Sequence, residues 1–95
     1  MNTITVTLKH GLKIGEDVHT DIELREPVLG DMIDAEREAP ASQFIAFRTA
    51  LIASCIVRVD GQSMPVSARM LYQLKPVDYG LLSDATGGFD NGGEA

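Results

Sequence analysis

A change of hydrophobic period at Leu24-Arg25-Glu26-Pro27-Val28-Leu29-Gly30-Asp31 constrains this chain more than any other feature. Upstream of it, apolar residues recur every second position, the period of a strand. Downstream they recur every third or fourth, the period of a helix. Pro27 has no backbone N–H and disfavours helix for Glu26, so the strand ends there. Gly30 and Asp31 suit the first turn of a helix, where a carboxylate meets unpaired N–H groups and the positive end of the dipole.

The upstream half reads as one hairpin. Ile4, Val6 and Leu8 point one way and Thr3, Thr5 and Thr7 the other. The even parity continues through Leu12, Ile14, Val18, Ile22 and Leu24, opposed by Lys13, His19, Asp21, Glu23 and Arg25. Gly15-Glu16-Asp17 between the two runs supplies the turn, and Gly11 marks a bulge or bend. A lone hairpin is marginal in water, so its even face must be covered by helices or by another chain.

Pro27 to Glu38 predicts a short helix, closed by Ala39-Pro40. Ser42 then fits an N-cap for a second helix over 43–57. On that helix Phe44, Phe47, Leu51 and Cys55 form one stripe, and Ile45, Ile52 and Ile56 a neighbouring one. The polar face left over is narrow, which places such a helix at the centre of a core or against a partner. Phe44, Ile45, Phe47, Leu51, Ile52 and Ile56 are accordingly the candidate partner-binding residues. Val59-Asp60-Gly61-Gln62 reads as a turn or short extended piece, and Ser63-Met64-Pro65-Val66 as the opening of a third helix carrying Met70, Leu71 and Leu74. Pro76 fits the first position of a last helix, with Asp78 at its positive end and Leu74 stapled against Tyr79. From Gly87 the sequence is glycine-rich and reads as a flexible tail. The expected fold is α+β: an N-terminal β-hairpin, then a small bundle of three to four helices. Residues 1–86 form a single domain and 87–95 the tail.

Charge and composition narrow the function classes. Fourteen acids against eight bases give a net charge of −6, the wrong sign for general nucleic-acid binding. No run approaches the ~18 apolar residues of a membrane span, and the N-terminus lacks a signal-peptide layout, so a soluble cytoplasmic protein is expected. The single cysteine, Cys55, cannot close an intrachain disulfide and sits in an apolar run, as a buried small hydrophobe does. His10 and His19, with Asp21 and Glu23 nearby, fit a solvated strand face better than a metal site. Asp31 and Asp34 share a helix face but have no pocket to separate their pKa values. Ser54 has no histidine near it in sequence, and neither Gly87-Gly88 nor Gly92-Gly93 follows a strand. No catalytic residue, cofactor site or metal ligand emerges; the pattern is that of a binding module rather than an enzyme.

The order of these features resembles the small tail assembly chaperones of contractile-tailed phages, typified by Mu-like and P2-like tail proteins. The matching parts are the opening Ile4-Thr5-Val6-Thr7-Leu8 strand, the Leu24-Arg25-Glu26-Pro27 exit, and Val28-Leu29-Gly30-Asp31 at the start of the first helix. The apolar helix around 46–56 follows, then Leu71, Leu74, Asp78, Tyr79 and Leu82. The resemblance spans about residues 3–89. It implies a non-enzymatic role in the host cytoplasm: tending the tape measure protein until tail tube subunits polymerise around it. It also implies a longer, frameshifted form of the same chain as a further partner, and absence from the mature virion. The spare apolar surface predicts self-association into a homo-oligomer. The competing readings are a structural tail or baseplate component, and a non-phage adaptor that adds a strand to its hairpin edge.

Overall fold

The computed structural model describes residues 3–40 and 42–92, the side chains of 88–92 excepted. β1 (Thr3–Ile14) and β2 (Asp17–Arg25) form the hairpin that the alternation predicts, with Thr3 opposite Arg25 and Ile14 opposite Asp17. Leu8, Leu12, Ile22 and Leu24, all of even parity, are buried. The register slips between Thr7 and Leu12, and Gly11 lies in the slip with φ at +93°. A side chain there would collide with Val18 and stand 3.1 Å from the His19 carbonyl oxygen. Only glycine suits that conformation and that space.

Beyond the Pro27 junction, α1 (Leu29–Glu38) and α2 (Phe44–Cys55) follow. Asp31 accepts a hydrogen bond from the Val28 backbone N–H at 2.8 Å, which ties the entry of α1. Ala39, held extended ahead of Pro40, ends it. Ser42 does not cap α2: Gln43 holds the N-cap position without a side-chain cap bond, and its N–H donates to the Pro40 carbonyl at 2.9 Å. The turn thus begins at Pro40 and carries Ser42 past the capping position.

α2 also stops two residues earlier than the apolar period suggests. Ile56–Val59 is a third strand, β3, pairing antiparallel with β2 in the order β1-β2-β3. Ile22 faces Val59, Glu23 faces Arg58 and Leu24 faces Ile56, with an irregularity between Glu23 and Leu24. The β-branched run Ile56-Val57 is a poor helix end and a good strand, and the open edge of β2 supplies its ladder partners. Asp60 and Gly61 then turn the chain with φ of 51° and 77°, and Val59 and Gln62 exchange backbone bonds at 2.8 and 2.9 Å. Two positive φ values in an Asp-Gly pair are the signature of a tight primed turn.

The segment from Ser63 differs from expectation as well. It is irregular up to Ser67, and only Ala68–Gln73 is helical, as a 3-10 helix. The Ser67 hydroxyl accepts the Met70 N–H at 3.3 Å and fixes the start of that turn three residues beyond Met64. α3 starts at Pro76 as predicted but runs to Gly92, past Gly87 where the sequence predicts an end. Of the expected tail, residues 93–95 and the Phe89 side chain lie outside the described residues. Among the described residues the fold is α+β, a three-stranded antiparallel sheet built on an N-terminal hairpin and four helices, counting the 3-10 turn.

The core is one face of that sheet against helices. Leu8, Leu12, Ile22, Leu24 and Val59 pack with Ile52 and Cys55 of α2, Leu71 of the 3-10 helix and Leu82 of α3. Leu8, Leu12, Ile22 and Leu24 are thus covered from within the chain, but the even parity does not hold throughout. Beyond the register slip Val18 lies opposite Lys13 and is 56% exposed, and His19 lies opposite Leu12; Ile4 is 40% exposed. α1 packs on another side of α2 through Ala35, against Ala50 and Leu51.

Candidate protein-binding site

Two carboxylates lock the elements around a groove. Asp78, in the first turn of α3, is fully buried. Its carboxylate accepts the backbone N–H of Lys9 at 2.7 Å, of His10 at 2.9 Å and of Gly11 at 3.0 Å. Burial pushes this carboxyl's pKa up, but the three N–H donors outweigh that and hold it below the ordinary aspartate value. The bulge that Gly11 creates is thus satisfied by the start of α3, which fixes that helix end against β1.

Asp31 does the corresponding work at the sequence junction. Arg25 grips it with two bonds, of 2.7 and 2.8 Å, and spends a further N–H on the Ser54 carbonyl at 2.8 Å. The guanidinium thereby joins β2, α1 and the end of α2. It holds the Asp31 carboxyl below its usual range, and the carboxylate raises the arginine in return. His19, for its part, pairs with Asp60 at 2.8 Å, and the Asp60 carboxylate also accepts the Asp21 N–H at 3.0 Å. The Asp21 N–H first and His19 second lower the pKa of Asp60. Glu23 bonds Arg58 across the strands at 3.1 Å. Among the described residues no group of three or more His, Cys, Asp or Glu is placed to hold a metal ion. No described helix is long and apolar enough to cross a membrane.

With α3 pinned to β1, a groove of about 600 Å³ opens between its first turn, the 3-10 helix and the start of α2. Ile45, Ala46 and Thr49 form one wall; Leu71, Tyr72 and Leu74 form the second; Pro76 and Tyr79 close the end. Beside it Phe44, Ile45 and Tyr72 are 62%, 66% and 64% exposed. The Thr49 hydroxyl is spent on the Ile45 carbonyl at 2.7 Å, so the lining behaves as apolar. Two polar atoms near it have no hydrogen-bond partner among the described residues, the Tyr79 hydroxyl and Arg48 Nε. Arg48 lies over the Phe44 ring, 5.5 Å from its centroid, and Arg69 over the Tyr72 ring at 5.7 Å.

The six residues singled out from the sequence divide by position. Phe44 and Ile45 are open, and Ile45 lines the groove. Phe47 and Ile56 are half-buried, while Leu51 and Ile52 belong to the core at 5% and 1% exposure. Periodicity along α2 could not separate these, because both of its stripes are equally apolar. The groove residues that sequence reasoning missed, Tyr72, Leu74, Pro76 and Tyr79, come from the 3-10 helix, its exit and the first turn of α3, whose approach to α2 is a tertiary contact that no local pattern encodes. A second open apolar face was legible: Leu29, Met32 and Ile33 recur at helical spacing on α1, and all three are exposed.

Neither a comparison with curated proteins nor one with solved structures returned a match. The family model described as "Tail assembly protein gp41" matches residues 8–94. That span runs from the middle of β1 through α3 and includes both carboxylate locks and every residue of the groove; the chain belongs to the phage Mu tail assembly protein gp41 family.

Proposed function

We propose that the protein acts in tail assembly as a chaperone, by binding rather than catalysis. It takes a helical segment of the tape measure protein into the groove between α2, the 3-10 helix and α3. There it keeps that segment soluble in the host cytoplasm until tail tube subunits enclose it. The observation that carries this reading is the cluster of open apolar side chains at a groove whose floor is already a closed core. Phe44, Ile45 and Tyr72 remain exposed although Leu8, Leu12, Ile22 and Leu24 are covered within the chain. Apolar surface gathered at one concave place on an acidic, soluble-looking chain marks an interaction site. An amphipathic helix laid in such a groove would cover these side chains with its apolar stripe.

Co-expression tests this directly. The wild-type chain should raise the soluble yield of the tape measure protein of the same phage and co-purify with it. Phe44→Ser/Ile45→Ser should lose both effects while its far-ultraviolet circular dichroism stays that of the wild type. An unchanged soluble yield with the wild-type chain would remove the proposal.

A further inference from the structure

The groove lies in one of two stretches of this acidic protein where bases outnumber acids; the other, residues 1–15, carries Lys9 and Lys13 and no acid. From Ala39 to Val77 there are four bases, Arg48, Arg58, Arg69 and Lys75, and one acid, Asp60, although the whole chain carries −6. Arg58 is engaged by Glu23, and Asp60 by His19. None of the three remaining cations lines the groove, but each neighbours a residue at its border. Arg48 sits over Phe44, next to the lining residue Ile45; Arg69 sits over the lining residue Tyr72; Lys75 stands in the chain between Leu74 and Pro76. Among the described residues none of the three is in an ion pair, and Arg48 Nε has no acceptor at all. The nearest acid in sequence, Asp78, is turned away and consumed by the β1 backbone.

We propose that the groove selects an amphipathic helix whose apolar stripe is bordered by Asp and Glu. The inference rests on the chaperone reading of the same groove and specifies the chemistry of its cargo. The lining comes from α2, the 3-10 helix with its exit and the start of α3, and includes no strand, so the groove offers no ladder to an extended segment. An occupant must therefore satisfy its own backbone, which a helix does. Its apolar stripe covers Ile45, Tyr72 and Tyr79. Its flanking carboxylates meet the cationic ends of Arg48, Arg69 and Lys75. The cationic border also draws an acidic cargo toward this face.

Two labelled 20-residue helical peptides with identical leucine stripes, one bordered by Glu and one by Lys, test this by fluorescence anisotropy at low salt. The wild type should bind the Glu-bordered peptide about tenfold more tightly or better, with the difference shrinking at high salt. Arg69→Glu/Lys75→Glu, two exposed positions chosen to leave folding intact, should reverse the preference. Equal binding of the two peptides, tighter binding of the Lys-bordered one, or binding of neither overturns the inference. Co-purification of the tape measure protein with the wild type is scored separately. If it persists undiminished with Arg69→Glu/Lys75→Glu, the chaperone reading stands and the acidic-cargo inference falls. If the peptide preference holds while the tape measure protein never co-purifies, the groove chemistry stands and the chaperone reading falls.

Discussion

Replacing Asp78 by alanine removes one side chain and orphans three backbone donors. The carboxylate accepts from Lys9, His10 and Gly11 at 2.7–3.0 Å, all part-buried. A hydrogen bond to a charged group contributes about 1.5–3 kcal/mol, and a buried donor left without an acceptor costs about 1–3 kcal/mol. The bulge lies at a sheet edge where water can enter once the carboxylate is gone, so the three losses will not add in full. A net loss of about 3 kcal/mol follows. For a domain of this size each kcal/mol lowers the melting midpoint by about 4–8 °C, so a drop of more than about 10 °C is expected. Asn at 78 should do little better, since its amide group would turn a donor toward the bulge. The pH dependence has a definite sign. Because the folded-state pKa is lowered, the carboxylate's contribution is complete above the unfolded value of about 4 and is lost as pH falls toward the folded value. Urea denaturation of wild type and Asp78→Ala from pH 7 down to pH 3, with exposed Asp34→Ala as control, reads both effects. The gap between wild type and Asp78→Ala should be widest at pH 7 and narrow below about pH 4. A gap under about 0.5 kcal/mol at pH 7, or one that does not change with pH, refutes the reasoning.

Two further perturbations probe the rest of the frame. Arg25→Ala leaves a largely buried Asp31 without its partner and the Ser54 carbonyl without its donor, so it should cost about 2–3 kcal/mol by urea midpoint, much more than Arg37→Ala on the exposed face of α1. Gly11→Ala places a side chain against Val18 at a φ of +93° and should cost about 2 kcal/mol or more, seen as a lower melting midpoint without loss of the strand signal.

Most of the secondary structure was settled by local rules. The hairpin and most of its dry face follow from parity, which fails at Val18 and His19 where the register slip exchanges the faces. The exit at Pro27 and the start of α3 at Pro76 follow from proline geometry, and Gly11 announced its bulge. Local rules failed where two of them competed. Ile56 and Val57 satisfy both the helical stripe of α2 and a strand, and the vacant edge of β2 decided for β3. Ser42 has the chemistry of a cap but not the position, since the turn from Pro40 placed Gln43 there.

The sequence by itself determined which residues are apolar, which segments are amphipathic and where the chain must break, because those depend on neighbours a few positions apart. It gave Arg25, Asp31 and Asp78 roles in charge and helix ends. Only the tertiary structure decided that Arg25 joins three elements and that Asp78 closes a bulge 67–69 residues away. The same holds for the groove. Ile45, Tyr72 and Tyr79 share a surface because α3 is held against β1 and the 3-10 helix against α2, and Leu51 and Ile52, equally apolar, are spent on the core. Burial is a property of the assembled chain: periodicity fixes which face of a helix is apolar, but only the packing of the other elements fixes how much of that face stays open.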